Sequence, residues 1–326
     1  MPSTQIQNGV SLLSDALRDE LRGVANSVVG INTDIKYEIQ NYNYVIENGQ
    51  VVPDPKSPLK YKLHSGDGKN GIMVEKTQKT ISGGGLIIDI DRDKSRYTIL
   101  TSNHLVSPND TTDVYYMDEN NLPTDVLFAR YIVKDVNVSV RGRSNWRVQA
   151  EVLSNDPIND LAVIEVQTSR LLGTEFPNEF GYNLNLSWGD WVFLFGFPRG
   201  IKQMTGGWVS EAPYPGTLAV DAVVRFGFSG GPVFAISKDR TKLVFVGLIK
   251  SVPRSNLEFI APKNSLPMGY QLTQNDFENL IVKNEIMVEY GTAYFVGPKT
   301  IKKFFQAYRD QIEGAGIRLR AKFYGN

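Results

Sequence analysis

The chain has 326 residues, 41% of them hydrophobic, which is enough to bury a sizeable core and excludes wholesale disorder. Its 35 basic and 35 acidic side chains balance, so no global field draws it to nucleic acid or an anionic membrane. It contains no cysteine, which removes disulfide staples, Cys-type zinc clusters and thiol catalysis.

The opening Met1-Pro2-Ser3-Thr4-Gln5 carries no basic region leading into a long apolar one, and no apolar run matches a bilayer span. Together with the missing cysteines, this predicts a soluble protein of a reducing compartment, placed in the cytoplasm with no membrane partner. Over residues 11–26, Leu12, Leu13, Ala16, Leu17, Leu21 and Val24 recur at helical spacing, so residues 1–25 read as a helical extension. Such a helix covers a core or, alternatively, makes an oligomer contact. Residues 27–35 are rich in β-branched side chains, and 37–47 alternate aromatic and polar ones. Pro53, Pro55, Pro58 and the Gly-rich stretch 66–71 mark an irregular excursion. Residues 85–90 and 97–100 read as a hairpin turned at Asp91-Arg92-Asp93-Lys94. Asp89, Asp91 and Asp93 mimic a calcium loop, but Lys94 replaces its glycine and Leu100 its glutamate. Further strands are predicted over 126–133, 147–152, 161–167, 191–195, 202–210, 217–224, 232–235 and 243–250. Residues 173–186 lack alternation and read as a connector, and a closing helix is expected over 298–311. Many short strands, with helices only at the ends, predict an all-β protein.

The strongest local pattern is Gly227-Phe228-Ser229-Gly230-Gly231-Pro232. Acyl transfer to serine needs an exposed hydroxyl beside backbone N–H groups aimed at the developing oxyanion. Flanking glycines permit the tight turn and the close approach of substrate. The amides of Gly227 and Ser229 are the candidate oxyanion donors; the plainer alternative is a Gly-rich turn. Only two histidines are present. His64 lies in a polar, Gly-rich stretch that reads as surface loop. His104 follows an apolar run, within Thr101-Ser102-Asn103-His104-Leu105, and is the candidate general base. Asp160 opens the apolar run 161–164, where a carboxylate can be partly buried against an imidazole. Asp156 and Asp190 sit in turn-like contexts and are weaker rivals. Taken singly, each residue is equally an ordinary turn or packing residue. In the order His104, Asp160, Ser229 they match the triad order carried by paired β-barrels.

With these residues in hand, the chain resembles the trypsin-like serine peptidases, and within them the bacterial HtrA (Deg-type) branch. Ser82-Gly83-Gly84-Gly85-Leu86-Ile87-Ile88, followed by Ile99-Leu100-Thr101-Ser102-Asn103-His104, is similar to that branch's Gly-rich strand and Thr-x-x-His motif. Asp156-Pro157 with Asp160-Leu161-Ala162 resembles its aspartate region. Gly189-Asp190-Trp191-Val192 and Gly196-Phe197-Pro198-Arg199-Gly200 resemble the opening of its second barrel. Tyr294-Phe295-Val296-Gly297-Pro298 resembles its closing strand. Phe228 stands where digestive members carry an aspartate that pairs with a freed N-terminus, so activation by that route is not expected. Residues 37–80 and 107–145 read as insertions, and no PDZ domain is expected after the final helix.

The resemblance implies two antiparallel six-stranded barrels with N- and C-terminal helices. Residues 26–168 would carry His104 and Asp160, 169–296 would carry Ser229, and 297–326 would form the last helix and tail. It implies a serine endopeptidase acting on polypeptide through an acyl-enzyme, without cofactor or metal, regulated by loop ordering. A homo-oligomer or an activating partner protein fits that picture, and a nucleic-acid partner does not. Substrate would lie extended beside residues 249–252. The specificity pocket would be lined by Val223, Arg225, Ile249, Lys250 and Val252, favouring a small or medium aliphatic side chain. The competing expectation is a catalytically silent barrel that binds protein.

Overall fold

The computed structural model describes residues 13–65, 71–118, 122–142, 146–212, 214–262, 280–317 and 319–324. The expectations for the first residues and for 66–70 therefore lie outside the described residues. Helix α1 (Asp15–Ala25) starts at a capped end, where the Ser14 hydroxyl accepts the Leu17 amide at 3.2 Å. Its apolar face, with Leu17, Leu21 and Val24, turns inward.

A first, eight-stranded sheet follows. Strand β1 (Val28–Tyr42) leads through the two-residue strands β2 (Ile46–Glu47) and β3 (Gln50–Val51) to β4 (Ile72–Asp91) and β5 (Arg96–Thr101). After the single-turn helix α2 (Asn103–Val106) come β6 (Thr111–Met117), β7 (Pro123–Arg141), β8 (Arg147–Gln149), β9 (Glu151–Asp156) and β10 (Leu161–Gln167). The order is β6-β7-β1-β4-β5-β10-β9, with β8 paired to β7. All of its pairs are antiparallel.

The second half contains β11 (Trp191–Gly196), β12 (Gln203–Ser210), β13 (Thr217–Asp221), β14 (Pro232–Ile236) and β15 (Leu243–Ser251). A hairpin of β16 (Arg254–Pro262) and β17 (Leu280–Val288) stands out before β18 (Thr292–Val296). Six of these strands close a barrel in the order β11-β12-β13-β18-β15-β14. Helices α3 (Pro298–Ala307) and α4 (Arg309–Gly314) follow, and then a short 3-10 turn at Ala321–Phe323. Among the described residues the protein is thus mostly β, with one closed barrel, one large open path of strands, two small hairpins and few helices.

Period-2 side-chain direction explains how each strand serves two interiors. Val29, Ile31, Ile87, Ile99, Val140 and Ile164 pack inside the first sheet. Val192, Leu194, Val220, Val233, Val246 and Phe295 fill the barrel. A third apolar layer lies between them, where Leu86, Leu100 and Leu161 meet Phe234, Phe245 and the α3 residues Ile301 and Phe305. Residues 173–186 form no strand, as expected, but they are no loose connector: Phe176, Phe180 and Tyr182 are buried in that layer.

Several elements differ from the sequence reading. The two segments expected over 27–47 form one fifteen-residue strand, because β4 and β7 pair with it on both sides out to Tyr42 and Asn41. The supposed insertions are extensions of this ladder, carrying their own small apolar cluster of Tyr42, Tyr44, Val126 and Leu127. The closing helix breaks at Tyr308, whose φ of −101° and ψ of 14° end α3 before α4 begins.

Candidate active site

His104 sits on α2, at the point where β5 leaves the first sheet. The β5 end is fixed by the Thr101 hydroxyl, which donates to the Gly84 carbonyl at 2.8 Å. The far side of the helix is held by the buried Thr33 hydroxyl, which donates to the Leu105 carbonyl at 2.5 Å. Asn155 Nδ2 donates to Asn103 Oδ1 at 2.9 Å and ties the helix to β9.

Asp160 lies one residue before β10 and adopts φ +60°, a left-handed conformation that aspartate tolerates better than most residues. Both carboxylate oxygens are used on one residue. Oδ1 accepts the His104 backbone N–H at 2.8 Å, and Oδ2 accepts the ring Nδ1–H at 2.8 Å. A carboxylate can only accept here, so Nδ1 carries the proton and Nε2 is the basic nitrogen. The Asp160 side chain is 10% exposed and the His104 side chain 44%, so the carboxylate is buried and the imidazole partly open to solvent.

The rivals have other tasks. Asp156 Oδ1 accepts the amides of Ile158 and Asn159, each at 3.0 Å, and so shapes the turn that delivers Asp160. Asp190 Oδ2 accepts the Ser187 amide at 2.8 Å in a turn before β11. His64 is exposed at the edge of the extended ladder.

Ser229 is half-buried in the loop between β13 and β14. The loop begins with a turn over residues 225–228, closed by Phe228 N–H donating to Arg225 C=O at 3.1 Å. Gly227 occupies its third position with φ +106°, as a type II turn requires, and any Cβ there would meet the Phe197 carbonyl oxygen at 2.6 Å. Phe228 turns into the barrel core. Among the described residues the backbone amides of Gly227 and Ser229 donate to no protein group, while those of Phe228, Gly230 and Gly231 all do. Two free donors thus flank a buried side chain. No hydrogen bond joins the Ser229 hydroxyl to His104 among the described residues.

The Ser229 loop is tied directly to the first sheet. Gly84 N–H donates to the Ser229 carbonyl at 2.8 Å, and a Cβ on Gly84 would come within 2.9 Å of the Gly231 Cα. The Ser102 hydroxyl reaches the Ile249 carbonyl at 3.3 Å from the other direction. Residues 84, 102–104, 160, 229–231 and 249 therefore form one connected junction between the sheet and the barrel.

The expected substrate-binding residues are spread along this rim. Ile249 is buried, and its amide and carbonyl are both engaged, by Gly231 C=O at 2.9 Å and Gly230 N–H at 2.8 Å. Lys250 sits half-buried on the bulge between Ile249 and Ser251, and Val252 is half-buried. Arg225 is exposed, and Val223 is 60% exposed, so it does not share a closed apolar pocket with Ile249. Sequence reasoning missed Phe226 and Tyr290, whose exposed rings meet edge to face at 6.3 Å beside the turn. Tyr290 gives no local signal, because the β16–β17 hairpin alone brings it there.

Residues 83–245, half of the chain, match the trypsin-like peptidase domain family. Among curated proteins, the chain is 28% identical over 135 residues to a probable periplasmic serine endoprotease DegP-like of Bartonella henselae, covering 39% of this chain and 24% of that protein. It is 30% identical over 135 residues to the protein of the same name from Rhizobium meliloti, with the same two shares of 39% and 24%. It is also 28% identical over 152 residues to the mitochondrial serine protease HTRA2 of Bos taurus, covering 41% of this chain and 32% of that one. The match thus spans only a quarter to a third of these relatives' own lengths. Among solved structures, the serine endoprotease from Yersinia pestis aligns with 94% of this chain and 69% of its own, at 14% identity and a TM-score of 0.46. The HtrA-type protease AlgW with decapeptide aligns with 91% of this chain and 67% of its own, at 15% identity and a TM-score of 0.45. The periplasmic names of the bacterial relatives overturn the expected cytoplasmic location. The physical reason is that a fold without cysteine is as stable under oxidising as under reducing conditions, so its absence does not choose a compartment.

Proposed function

The chain belongs to the trypsin-like peptidase domain family, and from that premise we propose that it is a serine endopeptidase with Ser229 as nucleophile, His104 as general base and Asp160 as the carboxylate that orients the ring. The observation that carries this reading is the double hold of Asp160 on His104, through the backbone amide and Nδ1, both at 2.8 Å. That hold leaves Nε2 as the unprotonated ring nitrogen, free to act as the base.

In the proposed reaction, a polypeptide lies extended across the junction and Ser229 Oγ attacks its scissile carbonyl carbon. His104 Nε2 takes the hydroxyl proton as the C–O bond forms. The oxyanion is received by the free amides of Gly227 and Ser229, where losing one such donor typically costs about 10²–10³ in rate. His104 then returns the proton to the leaving amine as the C–N bond breaks. A water, activated by the same nitrogen, hydrolyses the acyl-enzyme. Asp160 stabilises the imidazolium throughout.

We read the first sheet as a second barrel. Supporting this, β8 on β7 continues through Ala150 into β9 on β10, so the pairs β7-β1-β4-β5-β10 return upon themselves around an enclosed apolar cluster. On this reading residues 26–168 and 169–296 are the two barrel units, with helical ends outside them. A periplasmic site of action follows from the bacterial relatives' names.

The missing Ser229–His104 hydrogen bond favours a second reading, in which a partner or substrate orders the loop before turnover. A fluorophosphonate probe tests both. Labelling of the purified chain that disappears in Ser229→Ala supports the enzyme as it stands, and labelling only with added cell extract supports the ordered-loop reading. No labelling under either condition leaves the silent, protein-binding barrel.

A further inference from the structure

The residues around Ser229 carry an unbalanced charge. Gly230 N–H donates to Ile249 C=O at 2.8 Å, which sets Lys250 beside the nucleophile's loop. Val224 N–H donates to Tyr290 C=O at 3.0 Å, and Glu289 N–H donates to Pro253 C=O at 3.0 Å. These bonds draw residues 224–225, 253–254 and 289–290 to the same edge of the barrel. The gathered segments hold Arg225, Lys250 and Arg254 against one carboxylate, Glu289.

Arg225 and Arg254 are exposed, Lys250 is half-buried, and among the described residues none of the three forms an ion pair. Some cations elsewhere are paired, as Arg130 is with Asp113 at 2.7 Å and Arg320 with Glu175 at 2.9 Å, while others, such as Lys76, Lys79 and Arg92, form no ion pair among the described residues. What sets the rim apart is that three such cations gather beside the Ser229 loop, in a chain whose basic and acidic residues balance at 35 each.

Building on Ser229 as nucleophile, we infer that the cleft selects polypeptide segments with acidic side chains close to the scissile bond. Long cationic side chains need no fixed ion pair for this. Charges within a Debye length of about 8 Å at physiological salt are felt by the bound segment, and more distant ones are screened. Each exposed pairing favours binding about 2- to 5-fold, and the shared field also raises the association rate. The valine expected to make the pocket aliphatic does not oppose this, since Val223 is 60% exposed. The rings of Phe226 and Tyr290 add apolar contact without charge.

The test uses two fluorogenic peptides of equal length, one with glutamates flanking a central bond and one with glutamines in their place. The intact chain is expected to cleave the glutamate peptide with about 10-fold higher kcat/KM at about 20 mM salt, an advantage lost at about 500 mM. The double variant Arg225→Glu, Arg254→Glu, checked for folding by thermal melting, is expected to reverse the preference; Arg254→Gln alone should reduce it in part. Binding of both peptides to the Ser229→Ala chain, read by fluorescence anisotropy, separates the two ideas. Fluorophosphonate labelling with equal cleavage of both peptides overturns the charge inference and leaves the peptidase. Salt-dependent binding of the glutamate peptide without labelling or cleavage overturns the peptidase and keeps the rim as an acidic-peptide site. Absence of both overturns both.

Discussion

The closed barrel and the long ladder that extends the first sheet are both antiparallel β-structure, yet different forces hold them. In the barrel, each strand has a neighbour on both sides and a set of apolar residues pointing to a common interior. In the extension, residues 73–80 of β4 are exposed on both faces, and the apolar contribution shrinks to the cluster around Tyr42 and Tyr44. The contrast runs within β4 itself, because residues 83–88 of the same strand are buried. Paired backbone suffices to carry a strand outward, but the chemistry is assembled only where burial on two sides removes freedom of position.

That comparison can be broken or sharpened at several points. The largest effect is expected at the junction: Asp160→Asn should lower kcat by about 10⁴ with little change in melting temperature, because the ring loses its oriented tautomer. An unchanged kcat would remove Asp160 from the mechanism. Next comes the layer between sheet and barrel, where Phe245→Ala is expected to cost about 3–5 kcal/mol in denaturant unfolding. A loss below about 1 kcal/mol would mean that this layer does not bind the two halves together. Gly84→Ala places a methyl 2.9 Å from the Gly231 Cα, a backbone atom that cannot swing aside. A stability loss of about 1–3 kcal/mol, with slower fluorophosphonate labelling, is expected there.

The extension should respond more weakly and more locally. Tyr44 donates its hydroxyl to the Leu127 carbonyl at 2.9 Å, so Tyr44→Phe is expected to cost about 1 kcal/mol. Faster hydrogen exchange confined to residues near 127, with unchanged labelling of Ser229, would fit the comparison; a global effect would not. The smallest signal is alkaline. Burial pushes the Tyr44 phenol up to about 12 from an ordinary value of 10.0. The folded extension then holds this proton more tightly than the unfolded chain does. Its contribution is complete below pH 10 and lost as the pH rises toward 12, and an ultraviolet titration should show loosening of the extension over that window.

The parts of the molecule legible in sequence are those whose cause is local. β10 coincides with its predicted limits because Leu161-Ala162-Val163-Ile164 is a buried run ending in polar residues. His104 and Asp160 stood out because each borders an apolar run, and the Gly227–Gly231 loop because its glycines permit a tight turn and close approach. The family resemblance rested on those same motifs. What stayed hidden depends on partners distant in sequence. β6 reads Thr-Thr-Asp-Val-Tyr-Tyr-Met with no clean alternation, and it becomes a strand because β7 offers it an edge. The approach of Tyr290 to Phe226 follows from the path of the β16–β17 hairpin, which residue types alone do not reveal.

The bond from the Gly84 amide to the Ser229 carbonyl has a consequence for inheritance. It sets the Ser229 loop of one half on the backbone of the other, so a bulkier residue at position 84, or a foreign counterpart for either half, disturbs both. A recombined chimera crossing over within residues 169–190 would need both sides of that seam to match. Otherwise it would keep two folded units and lose the seat of the Ser229 loop on β4.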